Sequence, residues 1–243
     1  GYAAKMVTVN NAPAIIAIGT DNRGVLYAAG EILRQMEIKA MAVSINTFDV
    51  STAPAYRFRG GDAYQGHTMR KYTHAREWSF DEWKQVILDY ALAGANCFKA
   101  EWAGGEKYDF LKSFDLMTNV GIRPNQMHAE FPKEWSAGGL RDWEGTDWVC
   151  PSIPEARKAL LKQWEQQFEN LAKHDVLRYY AGDAGGCRDE RCKPWGKSFV
   201  FLCEDISNIV LKKYPNLSIL IANQDLTSEG DLAIFDYLSE KPR

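Results

Sequence analysis

The order of elements along this 243-residue chain predicts an α/β fold built on a parallel sheet. From Ala55 onward, short apolar runs alternate with amphipathic stretches five times over, the pattern of successive βα units. Two of the amphipathic stretches open on capping-box pairs, Ser79 with Glu82 and Ser152 with Glu155. Apolar runs also stop abruptly at polar, glycine-loosened segments, as in "YYAGDAGGCRDERCKPWG" (Tyr179 to Gly196). Units of this kind pair in parallel through right-handed crossovers. A doubly wound open sheet fits the count, and so does a (β/α)8 barrel that stops early.

Taken in order, "YRFRGGDA" (Tyr56 to Ala63) reads as the first of these strands. "SFDEWKQVILDYALAGAN" follows as a helix, with Phe80, Trp83, Val86, Ile87, Tyr90 and Ala91 on one face and Gly94 as its stop. "CFKAEW" is a strand, "YDFLKSFDLMTNVG" a helix closed by Gly121, and "IRPNQMHAEF" a strand whose start holds Pro124. After a loop from Pro132 to Pro151, "SIPEARKALLKQWEQQFENLAKH" is the clearest helix, striped by Leu160, Leu161, Trp164, Phe168 and Leu171. Then come the strand "VLRYYAGDA", the helix "SFVFLCEDISNIVLKKYP", the strand "LSILIANQ" and the helix "DLAIFDYLSE". Ahead of Ala55, "PAIIAIGT" reads as a short buried strand. "DNRGVLYAAGEILRQM" reads as a helix with Val25, Leu26, Ala29, Ile32, Leu33 and Met36 inward, and "AVSINTFDV" as a further strand. That is too little for a domain, and it has the look of the end of one.

Composition narrows the partners. A formal charge of −3 argues against nucleic acid, which calls for a basic face. No apolar run reaches the roughly 20 residues that span a bilayer, so no membrane partner is expected. Gly1 to Asn10 lacks the head and apolar middle of a signal peptide. No cofactor is expected. Five cysteines are too few for a disulfide scaffold, and Cys97 and Cys203 sit in apolar surroundings as small core residues. Eight tryptophans are many, and Trp102, Trp135, Trp143, Trp148 and Trp195 fall in polar, loop-like stretches. Flat rings there would either stack on sugars or anchor the loops.

Two stretches carry a resemblance. "IGTDNRGVLYAAGEILRQM" followed by "PAYRFRG" resembles the end of the small α/β domain that precedes the barrel in two glycoside hydrolase families. These are the family 20 β-N-acetylhexosaminidases and the family 67 α-glucuronidases. The matching residues are Arg23 to Tyr27, Pro54 and Arg59-Gly60. "SAGGLRDWEGTDWVCPSIPEARKALLKQWEQQFENL" is similar to the α-glucuronidase barrel between its third and fourth strands. The resemblance implies that residues 1–54 are the C-terminal part of a small α/β domain. Residues 55–243 would be the N-terminal part of a TIM barrel, with about five βα units. It further implies hydrolysis of a hexosaminide or a uronic-acid-containing glycan, an oligosaccharide or polysaccharide partner, and a secreted or periplasmic setting. Unpaired edges of such an incomplete barrel would invite oligomers.

Barrel sites form at the C-terminal ends of strands. Those ends offer Arg59 and Asp62, Glu101 and Trp102, His128 and Glu130, Asp183, and Asn223, Gln224 and Asp225. Hydroxyls want charged or amide partners and bond cleavage wants a carboxyl pair. Asp183 and Glu130 are therefore the catalytic candidates. Arg59, Asp62, Glu101, Trp102, His128, Trp195 and Asn223 are the substrate-binding ones. In family 20 the fourth strand ends in an Asp-Glu pair, the Asp orienting the substrate acetamido group and the Glu protonating the leaving oxygen. Here the sequence is Gly182-Asp183-Ala184, so alanine stands at the acid's place. Asp183 is then the acid itself, or a substrate-orienting carboxylate with the acid supplied from elsewhere; otherwise the protein binds sugar without cutting it, or Asp183 is the cap of a glycine turn. Cys187 and Cys192 form a C-x4-C pair, read as a local disulfide. A metal there would need Cys150 or His128 as well, and a metal-dependent hydrolase on Cys187, Cys192 and His128 is the third reading. The basic stretch between His67 and His74 suits a carboxylate-bearing sugar or a solvated loop.

Overall fold

The computed structural model describes residues 1–60, 78–138, 148–181, 186–224 and 226–240. Two compact units emerge, Gly1–Glu101 with Gly105–Thr118, and Trp102–Gly104 with Asn119–Arg243.

In the first unit, β1 (Tyr2–Val9) and β2 (Ala12–Gly19) form a hairpin in register from Tyr2 opposite Gly19 to Val9 opposite Ala12. Asn10 and Asn11 make its turn at φ 49° and 60°, the left-handed pair that a two-residue hairpin loop demands. The helix α1 (Asn22–Gln35) starts where the Asp21 carboxylate accepts from the Gly24 N–H at 2.7 Å. A small hairpin follows, β3 (Met36–Lys39) with β4 (Ala42–Ile45). β5 (Asp49–Thr52) then pairs with the free side of β1. Two expectations fail here. β2 is an edge strand, and Ile15, Ile16 and Ile18 are exposed rather than buried. On α1 the inward face is Gly24, Tyr27, Ala28 and Gly30, while Val25 and Leu33 are exposed. Gly30 explains the rotation: a Cβ there would stand 1.9 Å from the Leu92 carbonyl oxygen, so the bare backbone is what lets α1 approach its neighbour.

That neighbour is α2 (Phe80–Leu92), which carries the expected capping box between Ser79 and Glu82 and buries Trp83, Ile87 and Ala91 at intervals of four. β6 (Cys97–Lys99) and α3 (Glu106–Ser113) come next. Gly105 has no side chain to cap α3, and the Glu101 carboxylate accepts from the Tyr108 N–H instead. The chain then departs from expectation. The helix ends after two turns, Asp115 takes φ 56°, and Met117–Ile122 is the strand β7. Its branched residues Thr118, Val120 and Ile122 alternate on a pleat, a fit that their apolar count alone does not reveal. Pro124, which has no N–H to give a ladder, stands just beyond the strand's end, so most of "IRPNQMHAEF" is turn and loop. Of the first expected strand, Tyr56 to Gly60 contribute one parallel bridge, Gly60 with Cys97, and residues 61 to 63 lie outside the described residues.

The second unit holds α4 (Pro154–Phe168), β8 (Val176–Tyr179), α5 (Trp195–Lys213), β9 (Ser218–Ile221) and α6 (Ser228–Ser239). A parallel sheet runs in the order β6-β7-β8-β9, with Ile122, Tyr179 and Ile221 side by side at its C-terminal edge. Leu160, Trp164 and Phe168 of α4, Leu177 and Tyr179 of β8, and Phe199, Leu202, Cys203 and Ile206 of α5 close the core. The Tyr179 hydroxyl pairs with Ser207 Oγ at 2.9 Å inside it, and burial pushes that phenol's pKa well up. The second capping box is absent. Pro154 opens α4 after Ile153, and Ser152 Oγ lies 2.9 Å from Cys192 Sγ. Cys97 and Cys203 are buried, as expected. Among the described residues no helix is long and apolar enough to cross a membrane.

Two substitutions check these contacts. A Cβ at Gly196 would stand 1.9 Å from the Gly230 carbonyl oxygen, where α5 meets α6. Gly196→Ala should therefore cost about 1–3 kcal/mol in a urea unfolding curve. Glu101→Ala should lose about 0.5–2 kcal/mol by the same measurement, the usual worth of a helix cap, while Glu101→Gln should recover part of it.

Candidate functional site

At the C-terminal edge of the second unit's strands, three side chains meet that the sequence reading did not single out. Leu177 and Tyr179 turn toward the helices, so the two-residue period sends Arg178 and Tyr180 to the opposite face. The Arg178 guanidinium carbon lies 5.4 Å from the centre of the Tyr180 ring, and that of Arg123, just after β7, lies 5.4 Å from the same ring. Arg123 also sits 5.6 Å from the ring of Trp148, and both contacts are within cation–π range. Tyr180 reaches this position because Gly121 beneath it has no side chain, and a Cβ there would stand 2.9 Å from the ring. Arg123 Nε is buried without a hydrogen-bond partner among the described residues. The signal was available: an arginine inside the apolar run "VLRYY" has to face something polar.

His128 and Glu130, both expected, do come together. With Phe131 and Lys133 they line an exposed cleft of about 660 Å³. His128 meets Trp164 edge-on with ring centres 5.9 Å apart, and its backbone N–H donates to Gln163 Oε1 at 2.8 Å. The loop is thus fixed from α4, and the imidazole and carboxylate are left at the surface.

Other candidates have structural duties. Arg59 donates through Nε to the Gly94 carbonyl at 2.7 Å and through a terminal nitrogen to the Tyr56 carbonyl at 2.6 Å, and it stacks on Tyr27. Its guanidinium braces the start of that segment rather than projecting toward solvent. Glu101 is the α3 cap. Trp102 stacks on Phe168 at 5.8 Å and donates its indole N–H to the Gln167 carbonyl. Trp195 is only 5% exposed, a core residue at the start of α5 and not a platform for a ring. Trp148 is buried too, so the packing role wins for these three indoles. Asn223 is exposed and donates to Asp231 at 3.3 Å. Asp62, Asp183, Trp143, His67 and His74 lie outside the described residues, as does Asp225.

The cysteines depart most from expectation. Cys187 and Cys192 are free and buried, and Cys150 joins them, with all three sulfurs within 4.8 Å of one another. His128 is not in the group. A hydrogen bond from Cys187 depresses the Cys192 thiol to about 6, with Ser152 and Cys150 adding to the effect. Cys187 is pushed up by that same bond and by burial, and Cys150 by burial. Beside them the Arg191 guanidinium holds the exposed Asp189 carboxyl well below the usual carboxylate range.

No protein-family model matches this sequence, and no curated protein sequence matches it. Among solved structures, one titled "A Glycoside Hydrolase Family 20 beta-N-Acetylglucosaminidase" superposes with a TM-score of 0.54 at 12% identity. The match covers 90% of this chain and 53% of that one, so the chain spans about half the length of the structure it resembles. At that identity the likeness speaks of fold: a mixed α/β architecture with a parallel four-stranded sheet, similar to that of a glycoside hydrolase.

Proposed function

We propose that this chain is the N-terminal part of a glycoside hydrolase, acting on a hexosaminide or a uronic-acid-containing glycan. In this reading residues 55–243 are a partial (β/α)8 barrel and residues 1–54 the remnant of a small α/β domain. The observation that carries the reading is the fold likeness to a family 20 β-N-acetylglucosaminidase over 90% of the chain. Parallel strands in such folds deliver their chemistry at the C-terminal edge. Asp183 follows β8 at that edge by sequence, and it is the proposed acid or substrate-orienting carboxylate. Glu130, beside His128 in its cleft, is the proposed second carboxylate. Arg123 and Arg178 on Tyr180 add a basic, ring-bearing surface, which favours a sugar that carries a carboxylate.

A second reading rests on Ala184. With alanine where family 20 places its acid, the same scaffold would bind glycan without hydrolysing it. Chromogenic N-acetylglucosaminides and glucuronides, assayed beside a glycan array on the same full-length protein, separate the two. Hydrolysis of either glycoside class supports the enzyme, and array binding with no turnover supports the binding protein. Neither result would leave the fold likeness without a functional consequence. If Asp183 is the acid it must hold its proton near neutral pH. Asp183→Asn should then cut turnover by about two orders of magnitude or more, with binding retained, and substrates with excellent leaving groups should suffer least. Loss of folding in that variant, with normal turnover in whatever remains folded, would make Asp183 a turn cap instead.

A further inference from the structure

The three sulfurs lie within the second unit's core, and there they converge instead of dispersing through it. Cys150 comes from the loop before α4, and Cys187 and Cys192 from the loop after β8, so two separate stretches of chain converge on one point. Cys150 Sγ lies 3.7 Å from Cys192 Sγ, and no sulfur is farther than 4.8 Å from another. A disulfide needs about 2.0 Å, so Cys150 and Cys192 would have to close by well over an ångström. Thiolates around a tetrahedral zinc at about 2.3 Å stand about 3.8 Å apart, close to the spacing of Cys150 and Cys192. Thiolate softness and fourfold geometry favour zinc over calcium or magnesium.

The surroundings are those of thiolates held for a metal. The Asp189 carboxylate and the Ser152 hydroxyl stand beside the sulfurs. Ser152 Oγ reaches Cys192 Sγ at 2.9 Å. Such an outer-shell donor orients metal-bound sulfur and spreads its charge. Asn125, fully buried, donates to the carbonyls of Val149 and Gly186, the residues just before Cys150 and Cys187. Asp189 does not join the sulfurs: its Oδ2 lies 3.6 Å from Cys150 Sγ but accepts from the Arg191 guanidinium at 2.6 Å, and it falls outside the group formed by the three sulfurs.

We propose that Cys150, Cys187 and Cys192 bind a zinc ion, with water in the fourth position. The ion fastens the loop that follows β8 to the loop that leads into α4. Binding releases the thiol protons to solvent and changes no oxidation state. The site is independent of the glycosidase reading, since it needs no substrate and contains none of the proposed catalytic carboxylates.

The test is metal analysis of the full chain, purified reduced and without chelator. About one zinc per chain is expected. Absorption at the zinc edge should show three sulfurs near 2.3 Å and one oxygen. Replacement by Co2+ should give the sulfur-to-cobalt charge-transfer band and the strong visible bands of a tetrahedral site. Cys192→Ser and Cys150→Ser should lose the metal. If either fails to fold, the wild-type cobalt spectrum decides. The proposal fails if reduced, metal-free protein takes up neither Zn2+ nor Co2+. It fails equally if unreduced protein shows two of the three cysteines joined and refuses alkylation at both.

Discussion

The short strand β8 is buried on its helix side and occupied on the other, and most of the second unit follows from that. Four residues leave no slack: Leu177 and Tyr179 must enter the core with α4 and α5, and a hydrogen bond to Ser207 fixes the depth of Tyr179. The pleat then decides the rest, because a strand cannot turn one residue without turning its neighbours the other way. Arg178 and Tyr180 are carried to the opposite face, over Gly121 and beside Arg123. A hydrophobic requirement on one side of a sheet thus selects a charged, aromatic surface on the other. Function can draw on that surface without weakening the core.

Legibility tracked the range of the forces involved. The capping box at Ser79 and Glu82 closes within one turn, and the sequence announces it correctly. The identical signal at Ser152 and Glu155 misleads, since Ser152 turns toward a sulfur forty residues away. The stretch after Phe110 carries enough apolar residues for a helix, yet the break at Asp115 and the pairing of β7 with β8 override local preference. On α1 the apolar stripe points one way and the two glycines another. Close backbone approach at Gly30 wins over the larger side chains.

The site was legible in its parts more than in its assembly. His128 and Glu130 share a cleft because only Ala129 separates them on one loop, a local matter. Trp195 opens α5, and inside that helix its ring packs on the core. Arg59 and Glu101 stand at strand ends, where they bond carbonyls and a helix terminus. Cys150 could be named as a partner for Cys187 and Cys192, but its arrival depends on the turn at Asn125, which spacing along the chain does not encode.

The ring of Tyr180 rests on bare backbone at Gly121, and this joins the two positions into one unit of variation. A chain that placed any side chain at 121 would need a smaller residue at 180, and the arginines stacked there would lose their shared ring. Substitutions at these sites are therefore expected to arise together or not at all.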